Sequence, residues 1–257
     1  MIIAGIDCGA RNTKTVILKN GRIIGKGKVR TGFDLENAMD AALDRGLASA
    51  GIAREDVRKI GVTGSGRNAM KTADCEVSDI AAMARAAHFF FPDSRTVADV
   101  GAEEGRAAKI DEKGNVVDFV VNEKCAAGAG TFVETMARAL EVTVEEMGPL
   151  ALESDTEIPM NAQCTVFAES EVVSLIHAKT DKRDISRAIH DAMVSRIVSM
   201  IRRVGVNEDV VMIGGVARNP GCVEFMKKAL RVEHLFIPDE PEFGAAVGAA
   251  LVTAEKM

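Results

Sequence analysis

The 257-residue chain has no tryptophan and no tyrosine, only 4 histidines, and no cysteine pair at a Cys-x-x-Cys spacing. The missing aromatics carry no functional inference, because 12 methionines can fill core space as flexible apolar side chains. His88, His177, His190 and His234 fall in no paired-ligand pattern, which argues against a zinc site. The 5 cysteines, Cys8, Cys75, Cys125, Cys164 and Cys222, are odd in number, which argues against a disulfide framework and for a reducing compartment. Positive charge is also short. With 32 Lys and Arg against 38 Asp and Glu the net charge is −6, so there is no basic face for a nucleic acid. Any bound phosphate must therefore be held by backbone amides and metal. No apolar run approaches the roughly 20 residues that cross a bilayer. Met1 leads into a strand-like segment instead of a signal peptide, so a cytoplasmic protein with no membrane partner is expected.

What is present is a core-forming chain, 47% hydrophobic, long enough for one large α/β domain or two half-sized lobes. Residues 2–7 form an apolar run ending in Asp7, followed by a small and polar turn and a second apolar run at 15–18, the pattern of a hairpin. A third strand is expected over 21–29, a helix over 35–50 closed by Gly51, and a strand over 57–63. The order then repeats. Residues 95–100 end near Asp99, a glycine-containing loop follows, and 106–110 and 116–121 make a second hairpin. Duplication is the simplest reading, with lobes over residues 1–93 and 94–257 and the last helix, 244–255, able to pack back on the first. Helices are expected over 132–140, 166–178 and 185–204, and a strand over 210–213.

Three loops are candidates for phosphate and nucleoside contacts. In the first, a tight turn lets the amides around Gly9 and Asn12, the Thr13 hydroxyl and Lys14 approach phosphate oxygens, while Asp7 can hold Mg²⁺ through water. The second, Asp99 with Gly101, Ala102 and Glu103, repeats the acidic strand end and glycine loop. Two such strand ends facing each other could share one metal–nucleotide complex. The third, Gly214-Gly215 after a buried strand, with Asn219 beyond, lets a flat adenine or ribose lie on bare backbone. Taken singly, each loop also reads as an ordinary solvated turn.

Cys125 precedes the helical run 132–140, and Cys164 immediately precedes the helix beginning at Val166. A thiol at a helix amino terminus is stabilised as thiolate by free amides and the helix dipole, as is a cysteine-ligated anionic cluster. Two ligands cannot close a four-iron cluster, but two chains supplying two each would. Each cysteine alone reads better as a small buried hydrophobe, the class in which Cys8, Cys75 and Cys222 are left.

The stretches NEKCAAGAG (122–130), CTVFAESE (164–171) and VMIGGVARN (211–219) together resemble the ATPases that activate 2-hydroxyacyl-CoA dehydratases and the ATPase subunits of ATP-dependent benzoyl-CoA reductase. The resemblance spans nearly the whole chain. It implies a duplicated two-lobe α/β fold of the actin/sugar-kinase/Hsp70 type, ribonuclease H-like in each lobe, with Mg²⁺ and ATP or ADP between the lobes. It also implies a [4Fe-4S] cluster shared between two subunits, with Cys125 and Cys164 as ligands. The implied partners are a second copy or a related ATPase subunit, acyl-CoA reductase or dehydratase subunits, and a ferredoxin or flavodoxin as electron donor. Activators usually carry Gly-Gly-Gln-Asp where this chain has Gly101-Ala102-Glu103-Glu104. The loop DVGAEEGRA (99–107) is more similar to the small D-type reductase subunit, which is therefore the expected assignment, with a dehydratase activator as the alternative.

In the implied mechanism, nucleotide state sets the lobe angle and so the environment of the cysteine-bearing helices, with Asp99 and Glu103 as the catalytic candidates. A carboxylate at Glu103 changes what positions water. Two other readings stay open: a small-molecule kinase of the same superfold using Asp99 or Glu103 as base, and a regulatory partner that binds nucleotide without hydrolysing it.

Overall fold

The computed structural model describes residues 1–122, 128–160, 164–207 and 209–256. The chain opens as an antiparallel meander of β1 (Ile2–Cys8), β2 (Asn12–Lys19) and β3 (Arg22–Arg30). Its second turn runs through Asn20 and Gly21, both at positive φ (51° and 77°), the chemistry of a tight hairpin. Helix α1 (Leu35–Ala50) starts where the Asp34 carboxylate accepts the Asn37 amide and stops at Gly51, φ 64°. Strand β4 (Lys59–Thr63) returns parallel to β1, and the two-residue β5 (Cys75–Glu76) parallel to β4, giving the sheet order β3-β2-β1-β4-β5.

The second half repeats this path with β6 (Thr96–Val100), β7 (Gly105–Ile110), β8 (Val116–Asn122), β9 (Val210–Ile213) and β10 (Leu235–Phe236), in the order β8-β7-β6-β9-β10. Where the first sheet has α1 between its third and fourth strands, the second has α3 (Gly130–Leu140), α4 (Val144–Leu152), α5 (Thr165–His177) and α6 (Lys182–Val204). Helix α6 is the axis of this layer. Ile185, Ile189, Met193, Ile197 and Ile201 recur at helical spacing and are buried with Phe132 and Met136 of α3 and Met147 of α4. Helix α4 begins with a capping box, Thr143 and Glu146 bonding each other's backbone, a Thr-x-x-Glu signal that periodicity alone passes over. Helix α7 (Pro220–Leu230) lies between β9 and β10.

The two remaining helices exchange partners. Helix α2 (Asp79–Phe90) follows the first sheet in the chain, yet its Met83, Ala86 and Ala87 pack with Val97, Ala108, Val211 and Ile213 of the second. Helix α8 (Gly244–Glu255) follows the second sheet, yet its Ala246, Val247 and Ala250 pack with Ile3, Val16 and Leu18 of the first. Helices α2 and α8 also touch each other, so each sheet is covered by a helix from the other half.

Glycine makes this crossing possible. A Cβ on Gly248 of α8 would lie 1.8 Å from the Ala82 carbonyl oxygen of α2, and one on Gly5 of β1 would lie 2.1 Å from the Ala246 oxygen. Gly248→Ala is therefore expected to destabilise the fold by about 1–3 kcal/mol, since backbone cannot move aside as a side-chain tip can. In thermal unfolding, that corresponds to a midpoint lowered by about 3–10 °C for a chain of this size. An unchanged midpoint would show that the helices do not meet at this point.

Candidate functional site

The central strands β1 and β6 each end in an aspartate, and the two carboxylates line one cleft of about 480 Å³ between the sheets. Both are nearly buried, Asp7 at 7% and Asp99 at 6% exposure. Each faces a cation on its antiparallel neighbour. Asp7 is in register with Lys14, whose Nζ donates to Oδ2 at 2.8 Å. Asp99 is in register with Arg106, with Nη1 3.6 Å from Oδ2.

The parallel neighbours complete the repeat. Asp7 pairs with Thr63 and Asp99 with Ile213, and the next residues are Gly64 and Gly214 at φ 89° and 91°. A Cβ on Gly64 would lie 2.6 Å from Asp7 Oδ1, and one on Gly214 would lie 2.6 Å from Asp99 Oδ1. Only glycine combines that φ with so close an approach. The floor of the cleft is thus built twice from one plan: carboxylate, cross-strand cation, left-handed glycine.

The other expected residues divide into those that reach the cleft and those that do not. Gly9, Asn12, Lys14, Gly101, Ala102, Glu103, Gly214, Gly215 and Asn219 all line it. Thr13 does not, and the expectation that its hydroxyl meets phosphate is corrected here. Strand alternation sends Asn12 and Lys14 to the cleft and Thr13 to the opposite face, where it is fully buried and its Oγ1 pairs with Thr31 Oγ1 at 3.0 Å. Asn219 lines the edge, but its side chain caps α7: Oδ1 accepts the Cys222 amide at 3.1 Å, and Nδ2 donates to His190 Nε2 at 3.0 Å. His190 Nδ1 in turn donates to the Ser186 carbonyl at 2.7 Å, which fixes that tautomer. In the second loop the Gly101 amide is spent on Glu104 O, while Glu103 stands exposed and makes no hydrogen bond to a described residue.

Sequence reasoning passed over Arg106, Gly64, Asp79 and Glu242, all of which line the cleft. A signal for Arg106 was available: Lys14 follows Asp7 by seven residues, and Arg106 follows Asp99 by the same seven. Asp79, the first residue of α2, bridges Arg67 at 3.2 Å and Arg106 at 3.5 Å, linking the halves beneath the cleft. No local pattern announces that contact, because it depends on α2 crossing over.

Of the cluster candidates, Cys164 occupies the N-cap position of α5, half-buried, with no side-chain capping bond. Cys125 lies outside the described residues. Cys8 and Cys222 are buried, and burial pushes the Cys222 thiol up to about 12, which suits an inert core thiol. Among the described residues no three His, Cys, Asp or Glu side chains converge on a point that could hold a metal ion. A cation between Asp7 and Asp99 would therefore draw the rest of its shell from water and phosphate, as Mg²⁺ characteristically does.

Electrostatics mark Asp99 as the strained partner. Burial raises its pKa from 3.8 to about 6, against the pull of Arg106 and with a further push from Asp7 across the cleft. Burial works against the Lys14 charge, but Asp7, Asp99 and Glu242 outweigh it and raise that pKa. For Asp99 the sign is that of a group held more protonated folded than unfolded: it costs stability above pH 6, and the cost fades as pH falls towards 4. Stability of Asp99→Asn relative to the parent, measured by urea unfolding in chelator, should thus decrease by about 1–1.5 kcal/mol from pH 8 to pH 5. A pH-independent difference would show that Asp99 titrates normally.

A family model described as the BadF/BadG/BcrA/BcrD ATPase family matches residues 4–253. The chain is 38% identical over 251 residues to a 2-hydroxyisocaproyl-CoA dehydratase activator of Clostridioides difficile, covering 98% of this chain and 94% of the relative. It is 30% identical over 270 residues to the D-type subunit of benzoyl-CoA reductase from Thauera aromatica, covering 97% and 92%. The expected D-type assignment is therefore not the one these identities favour. The structure of the activator of the 2-hydroxyisocaproyl-CoA dehydratase from Clostridium difficile with bound ADPNP matches with a TM-score of 0.93 at 38% identity, over 100% of this chain and 95% of that one. A ROK family glucokinase from Streptomyces griseus reaches a TM-score of 0.60 at 14% identity over 98% and 99%, which shows the fold alone. That fold is the duplicated actin/sugar-kinase/Hsp70 architecture expected above, and by motif, architecture and family match the chain belongs to the BadF/BadG/BcrA/BcrD ATPase family.

Proposed function

We propose that this chain is an ATP-dependent activator of a 2-hydroxyacyl-CoA dehydratase, binding Mg²⁺-ATP in the cleft between its two sheets. The observation that carries the proposal is the doubled floor of the cleft. Gly64 and Gly214 leave room where side chains would collide with Asp7 and Asp99, a Cβ on Gly9 would crowd Asn12 O at 3.1 Å, and this bare backbone suits phosphates. Asp7 and Asp99 offer carboxylate oxygens to a hydrated Mg²⁺, and Lys14 and Arg106 supply fixed positive charge on either side of it. Gly214-Gly215, with the Gly214 amide bonded to Pro241 O, offers flat backbone to the nucleoside. Glu103, exposed at the rim, is the group we assign to orienting the attacking water.

Greater identity to the dehydratase activators than to the D-type reductase relative supports the activator reading over the reductase one. We further propose a dimer in which Cys125 and Cys164 of each chain hold a shared [4Fe-4S] cluster. The donor chemistry of Cys164 fits, since it is a half-buried thiol at the amino terminus of a thirteen-residue helix. When bound, such a cluster supplies a low-potential one-electron couple. The other implied partners are the dehydratase component and a ferredoxin or flavodoxin donor.

Anaerobic purification tests both parts. The expected protein is brown, with about four iron per dimer as a single [4Fe-4S] cluster requires. Cys125→Ser and Cys164→Ser should each lose that iron while still binding Mg²⁺-ATP. Full iron retention by both variants would overturn the cluster assignment. With Mg²⁺-ATP and a reductant the protein should switch on a 2-hydroxyacyl-CoA dehydratase component, and support of benzoyl-CoA reduction instead would restore the D-type reading. Glu103→Ala should lower ATP turnover by about 10²-fold, the ordinary scale of a positioned acid or base, with ATP affinity little changed. Unaltered turnover would remove Glu103 from the mechanism.

A further inference from the structure

Helix α3 is gripped by both phosphate loops. Its amino terminus is clipped to the second loop, where the Gly130 amide donates to Gly101 O at 2.9 Å and the Thr131 amide and hydroxyl donate to Ala102 O at 2.8 and 2.6 Å. The clip is close, since a Cβ on Gly130 would lie 3.3 Å from Gly101 O and 3.5 Å from Ala102 Cα. One turn further along, Glu134 faces the cleft and takes Arg11 Nη2 at 2.9 Å. Arg11 belongs to the first loop, on the opposite side of the cleft, so this ion pair spans it. The far side of α3 is core: Phe132, Met136, Ala137 and Leu140 are buried with Ala168 and Val172 of α5, the helix that begins after Cys164.

From this arrangement we infer that α3 carries the nucleotide state to the amino terminus of α5, with Arg11–Glu134 as the latch that makes the helix answer to both loops at once. The clip alone ties α3 to one half of the cleft, so α3 would follow the second loop whatever the first was doing. With the latch, a change in the spacing of the loops must either break the ion pair or tilt α3, and the buried contacts pass a tilt to α5 because a close-packed core does not absorb it. The latch is suited to opening and closing, since Arg11 is 49% and Glu134 27% exposed and pairs of that exposure contribute little to stability. Arg11 and Glu134 are thus positioning residues. The inference rests on nucleotide binding in the cleft, and not on the cluster.

Hydrogen exchange on the full chain, prepared anaerobically, with and without Mg²⁺ and a β,γ-imido ATP analogue, provides the test. In the parent protein the analogue should change exchange at the phosphate loops and, by at least about fivefold, the scale of a modest allosteric coupling, in α3 and the first half of α5. Arg11→Ala and Glu134→Gln should keep the change at the loops, which reports that nucleotide is bound, and lose most of the change in α5. The exchanged pair Arg11→Glu with Glu134→Arg should recover it. Thr131→Val, which removes one clip bond without emptying space, should weaken the response in α3 as well. Full α5 responses in both single variants, no recovery in the exchanged pair, or no α5 response in the parent would each overturn the inference. Nucleotide affinity and iron content on the same samples separate these outcomes from failure of the proposed function: no protection anywhere means that no nucleotide binds, and absent iron leaves the latch result standing.

Discussion

Everything at the cleft depends on carboxylates buried at the ends of the two central strands, each kept within the fold by a cation directly across the ladder. A carboxylate taken out of water is costly unless it is paired and hydrogen-bonded. Lys14 meets that need for Asp7 with a direct hydrogen bond; Arg106 meets it less completely for Asp99, at a longer distance and while shared with Asp79 and Glu104. The raised pKa of Asp99 is the residue of that incomplete compensation. A dipositive ion between the strand ends would relieve both carboxylates at once.

The same duplication that places the aspartates leaves the halves interlocked. Because α2 lies on the second sheet and α8 on the first, with small residues at their contact, a change in lobe angle must work through this crossing. Asp79 begins α2 and holds Arg106, so the crossing is electrostatically joined to the floor of the site. The crossing and the pairing of Asp99 are thereby joined through Arg106, which Asp79 and Asp99 share.

Much of this is legible in the sequence because duplication writes the same local pattern twice. Asp7 and Asp99, each before a glycine loop and a second strand, mark the two strand ends without any knowledge of the fold. The helix of residues 185–204 and its glycine stop follow from period alone and are found as α6 with Gly205 beyond it. What is not legible depends on direction or distance. Thr13 reads as a phosphate contact because hydroxyls often bind phosphate, yet a one-residue step along a strand reverses the face. The placement of α2 on the second sheet is a tertiary fact, since its small apolar residues suit either sheet equally well. The D-type assignment is not the favoured one for a different reason: it weighs the loop from Asp99 to Ala107 above the chain-wide identity, and a short loop varies more freely than the scaffold that carries it.

The charge balance of the cleft bears on how a polyphosphate would be held there. The cleft is lined by eight carboxylate side chains, Asp7, Asp79, Asp99, Glu103, Glu104, Glu134, Glu145 and Glu242, against five cations, Arg11, Lys14, Lys28, Arg106 and Arg218. Each of those cations is already engaged with a carboxylate: Arg11 with Glu134, Lys14 with Asp7, Lys28 and Arg218 with Glu242, and Arg106 with three partners. A polyphosphate entering alone would meet a surplus of its own sign, with no cation to claim except by breaking an existing pair. Two consequences follow from that balance. Phosphates entering this cleft would have to bring a divalent ion with them, and any cation they captured would first have to release its carboxylate. Capture of a cleft cation by phosphate would therefore exchange one ion pair for another.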